Sequence, residues 1–141
     1  MRKLIALLIV CILVLSGCGE SKKEFSVEGL EPAEQIEAIV DHYVEEEVWH
    51  GEITDLQINK DADGEGYVCL VKVDWDLENS SDHARGVLQT YADELCKELA
   101  ENGNTSKFVI FFNAIQQGGL YKRGYDISSG NPEVTDTVDQ L

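Results

Sequence analysis

Basic side chains are scarce in this sequence. Eleven Lys and Arg stand against 27 Asp and Glu in 141 residues, a formal net charge of −16. A surface of that sign repels phosphates, which argues against nucleic acid as a partner, and it pushes a domain away from anionic lipid. Catalytic signatures are missing as well. There is no G-x-S-x-G, no glycine-rich phosphate loop, no C-x-x-C and no H-E-x-x-H, which removes the classes those motifs mark. His42, His50 and His83 stand at no metal-ligand spacing from one another, and His42 with Glu46, one helical turn on, is the nearest approach to a zinc pair. No apolar run is long enough to cross a bilayer. The longest, residues 4–15, has twelve residues, a helix of about 18 Å against about 30 Å of hydrocarbon.

That run has a meaning of its own. Met1-Arg2-Lys3 is a basic start, and Leu15-Ser16-Gly17-Cys18 closes the apolar stretch with two small residues and a thiol. A basic start, a short apolar centre and a small-residue cleavage site describe a secretory leader. The four-residue close resembles the lipobox of bacterial lipoproteins, and the resemblance covers residues 1–18 only. It implies diacylglycerol on the Cys18 thiol, cleavage between Gly17 and Cys18, and an extracytoplasmic, membrane-held location. Cys11 would leave with the leader. So would Arg2 and Lys3, taking the formal charge to −18.

The rest divides into a polar tether (18–30), one α+β domain (31–128) and a polar, acidic tail (129–141). Glu31-Pro32 opens a helix, since proline suits the first helical position. Ile36, Ile39, Val40, Tyr43, Val44 and Val48 give it one apolar stripe. Residues 52–59 and 66–75 alternate as strands around a turn at Asp63-Gly64, a hairpin signal. A capping cluster at Asn79-Ser80-Ser81-Asp82 starts a second helix that reaches about Asn102. Residues 108–115 are apolar almost throughout, as a central strand would be, and 120–127 alternate again. The order α-β-β-α-β-β predicts a two-layer sandwich: a four-stranded, mainly antiparallel sheet with both helices on one face. The other face would be left partly open.

Four constellations are candidates for function. Asn59 to Glu65 resembles the start of an EF-hand calcium loop, with Asp61 and Asp63 before Gly64, although Asn59 holds the first ligand position and Leu70 the twelfth. A plain hairpin turn is the alternative. Asp74 and Asp76, two apart on a strand, could hold a cation or do acid–base work, or could be solvated carboxylates ahead of a helix cap. Cys69 and Cys96 are the mature thiols besides Cys18 and could form a disulfide or remain two buried thiols; a Cys–His site with His42 or His83 is a further arrangement of the same residues. Tyr121, Arg123 and Tyr125 are contact candidates if they line the open sheet face, and core residues if they cover the helices. The expected function is a non-enzymatic binding module without a cofactor, tethered by lipid and engaging an envelope protein or a small ligand. A calcium-binding domain and an envelope hydrolase are the alternatives.

Overall fold

The computed structural model describes residues 24–141; the leader, the lipobox and Cys18 lie outside them. Helix α1 spans Pro32–Glu47 and α2 spans Ser81–Asn102. The strands are β1 (Gly51–Lys60), β2 (Tyr67–Trp75), β3 (Thr105–Ala114), β4 (Gly119–Asp126) and β5 (Glu133–Asp139). They form one sheet in the order β1-β2-β3-β4-β5. Among the described residues the fold is α+β with two helices, and the sheet is five-stranded and mixed. No helix among the described residues is long and apolar enough to cross a membrane.

One expectation is corrected here and one is refined. The sheet has a fifth strand, because residues 133–139, expected in a loose tail, pair antiparallel with β4. Glu133-Val134-Thr135-Asp136-Thr137 is polar because nearly all of β5 is exposed, so a polar edge strand reads like a tail. The sheet is mainly antiparallel, as expected, but mixed: three of its four pairings are antiparallel and one is parallel. β2 and β3 pair side by side in the same direction, which needs a crossover, and α2 supplies it.

Local chemistry explains the elements. The Glu34 carboxylate accepts the Glu31 N–H at 3.1 Å and Pro32 sits in the first turn of α1, so the helix start is capped. Ser80 Oγ accepts the His83 N–H at 3.3 Å at the start of α2. At its end Gly103 takes φ 83° and its N–H donates to Leu99 O, a left-handed cap that suits glycine. Both helices lie on one face of the sheet. Ile36, Ile39, Val40, Tyr43 and Val44 of α1 and Leu88, Ala92, Leu95 and Leu99 of α2 are buried against Cys69, Val71, Val73 and Trp75 of β2 and Phe108, Ile110 and Phe112 of β3. In β1 a bulge at Thr54 shifts the register between Ile53 and Asp55. The shift lets Ile53 join Leu56 and Ile58 on the helix side, out of strict alternation.

Candidate functional site

The face opposite the helices is uncovered. The register sets Leu70 beside Val109, Lys72 beside Phe111 and Asp74 beside Asn113 across β2 and β3, then Phe111 beside Lys122 and Asn113 beside Leu120 across β3 and β4. Leu70, Val109, Phe111 and Leu120 are half-buried, and together they make an apolar strip down the middle of the sheet. A shallow depression of about 480 Å³ opens over it, with Leu70, Lys72, Asp74, Phe111, Asn113 and Leu120 in its lining. Charges frame the strip and are paired in place. Lys72 Nζ lies 3.7 Å from Asp55 Oδ2, Lys122 pairs with Asp136, and Lys122 Nζ stands 5.6 Å from the Phe111 ring centre. Three of the few basic residues, Lys72, Lys107 and Lys122, are on this face. The arrangement suits the anatomy of a contact surface, an apolar centre with a polar rim.

Tyr121, Arg123 and Tyr125 are on the other face. The two tyrosines are 2 % and 3 % exposed and join the core, so of the two placements open to them they take the one that covers the helices. Tyr125 Oη donates to Asp93 Oδ1 at 2.5 Å and Arg123 Nε to the same oxygen at 3.1 Å. Burial, then the Asp93 contact, pushes the Tyr125 hydroxyl far above its usual range. Arg123 and Tyr125 fasten β4 to α2, and Tyr121 is buried in the core. None of the three lines the open face.

The carboxylates of the first hairpin are held by protein groups. Asp61 accepts from Ser106 Oγ at 2.7 Å and from the Asp63 N–H at 2.9 Å. Lys107 Nζ lies 3.6 Å from Asp61 Oδ1 and 3.4 Å from Asp63 Oδ2, so an ammonium occupies the position a cation would take. The Ser106 hydroxyl, followed by the Asp63 N–H, holds the Asp61 carboxyl below its usual range. Asp74 and Asp76 have separate partners. Asn113 Nδ2 donates to Asp74 at 3.0 Å, and Gln116 Nε2 to Asp76 at 2.6 Å beyond the end of β2. Among the described residues no group of three or more His, Cys, Asp or Glu could hold a metal ion.

Cys69 and Cys96 are both free and buried. Burial pushes each thiol up to about 12, which keeps both as unreactive thiols near neutral pH. The histidines are scattered. His42 stacks on Phe25 at 4.0 Å, His50 sits in the turn after α1, and His83 is exposed in the first turn of α2.

The strip itself was the residue set that pattern reading passed over. Its signal is the unbroken apolar run in β3. A strand covered on one face needs apolar residues only at alternate positions, so Val109 and Phe111 are surplus to the core. No protein-family model matches the chain, and no curated protein matches it.

Proposed function

We propose that this chain is a lipid-anchored extracytoplasmic protein whose domain is a non-enzymatic binding module, and that the uncovered sheet face is its contact surface. The observation that carries the reading is the apolar strip of Leu70, Val109, Phe111 and Leu120 on a domain otherwise dominated by acidic side chains. Apolar patches rimmed by polar groups mark interaction sites more often than catalytic ones when no reactive group converges on them. The anchoring half of the reading rests on the Leu15-Ser16-Gly17-Cys18 motif. The partner class is an envelope protein that presents an apolar segment to the strip.

The test is capture. Residues 19–141 carrying an affinity tag in place of the lipid are crosslinked to envelope of the source cell, beside a Leu70→Ser, Phe111→Ser double variant. We expect a near-stoichiometric partner with the parent domain and its loss with the variant, while the circular dichroism of the two stays the same. Equal capture by parent and variant would remove the sheet face as the contact surface.

A further inference from the structure

Among the described residues the most exposed large apolar side chain stands at the end of the sheet where β2 finishes. Trp49 is 68 % exposed, and Ile115, which shares Trp75 as a hydrogen-bond partner, is 44 % exposed. Both hang on the backbone and ring of buried Trp75. Trp75 Nε1 donates to Trp49 O at 3.0 Å, and the Ile115 N–H donates to Trp75 O at 3.0 Å. The Asp76 N–H closes on His50 O at 3.1 Å. His50 takes φ 60°, the one non-glycine residue with positive φ among those described. A side chain at Gly51 would meet Val48 Cγ1 at 2.4 Å. The turn therefore holds a non-glycine residue in a conformation it resists. Such a turn spends stability on displaying a tryptophan to solvent.

The start of the described chain leads to the same end. Leu30 O accepts from Gln35 Nε2 at 2.8 Å, Val27 and Ile39 line one shallow depression, and Phe25 stacks on His42. The partners 35, 39 and 42 advance toward the C-terminal end of α1, from which Trp49 projects. From Phe25 back to Cys18 is seven residues, about 25 Å at full extension. From His42 to Glu47 α1 has about 7.5 Å left to run.

We propose that the Trp49–Ile115 tip rests in the headgroup layer of the membrane that holds the chain. The proposal depends on the lipid anchor proposed above. The described chain packs toward that end of α1 as it approaches Cys18, so an anchor seven residues before Phe25 favours bringing that end to the bilayer. An indole, apolar in its body and with one N–H, suits the headgroup level. Glu45, Glu46 and Glu47 stand just behind the tip, so the surface that fits is zwitterionic lipid.

The test replaces the lipid by chemistry. Residues 18–141, which contain the whole core, are coupled through Cys18 to a maleimide headgroup in phosphatidylcholine vesicles. Cys69 and Cys96 are buried and do not compete. Trp75 is wholly buried, so a quencher fixed at headgroup depth reads Trp49. We expect a blue shift and a loss of Trp49 emission on coupling. Ile115→Glu should weaken the quenching. Val134→Glu, at the opposite end of the sheet where Val134 pairs with Tyr125, should leave it unchanged. Unquenched Trp49 on fully coupled vesicles would overturn the proposal and leave the tip for a protein partner. Quenching that Ile115→Glu does not reduce would overturn it too, since the tip would not be the leading surface. Whether cells lipidate Cys18 is read separately from the mass of the N-terminal peptide, so failure of the anchor and failure of the tip are distinguishable.

Discussion

Two carboxyls in this protein respond to acid in opposite ways. Glu98 is held above its ordinary range by burial and by Glu47, Glu101 and Glu94, against the pull of His42. Its ionised form therefore costs stability, and the cost appears as pH rises through the carboxyl range. Glu98→Gln should raise the melting temperature at pH 7, and the gain should vanish below about pH 4.3, the value of a free glutamate. Asp61 is the reverse case, held low first by the Ser106 hydroxyl. Its contribution is present above the free-aspartate value of about 3.9 and is lost as pH falls through the lower folded value. Ser106→Ala should therefore lower the melting temperature at pH 7 and lose that effect toward pH 2. Lys107 gives the same carboxylate its counter-charge. From this we expect millimolar calcium to leave the melting temperature of the parent unchanged. A calcium-dependent rise in the parent would support the calcium-loop reading of Asp61 and Asp63.

Within β3, neighbouring phenylalanines belong to different surfaces. Phe112 is fully buried under the helices and Phe111 is half-buried on the open face. Phe112→Ala should cost about 3–5 kcal/mol in chemical denaturation, the usual range for a buried aromatic. Phe111→Ser should cost well under half of that while abolishing capture of the partner. The helices and the first hairpin were legible because their signals are local: a proline and acidic cap at Glu31-Pro32, a serine cap at Ser80, and alternation from Tyr67 to Trp75. What pattern could not supply is strand direction. Whether β3 lies parallel or antiparallel to β2 depends on how α2 carries the chain across the sheet, and the α2 stripe is the same in either case. The side on which Tyr121 and Tyr125 fall was equally beyond reach. Alternation in β4 puts them together but does not say which face the helices cover. β5 was hidden by its exposure, since an edge strand with almost nothing to bury has no periodicity to read.

At the scale of the domain, Cys69 and Cys96 lie inside one core and the charged side chains lie outside it. A thiol reagent should label neither Cys69 nor Cys96 in the native state and both after denaturation, and a reductant should leave the melting temperature unchanged. A drop on reduction would show a bond between them. The outer strands carry a further consequence. β1 is bulged at Thr54 and β5 at Thr135, where the register with β4 slips between Gly124 and Tyr125. Each bulge breaks the even ladder of N–H and C=O groups that an incoming strand would need. Copies held by lipid would be confined to a plane, where encounters are far more frequent than in free solution. On such a surface the two irregular edges, backed by a shared negative charge, let neighbours collide edge to edge without zipping into a continuous sheet.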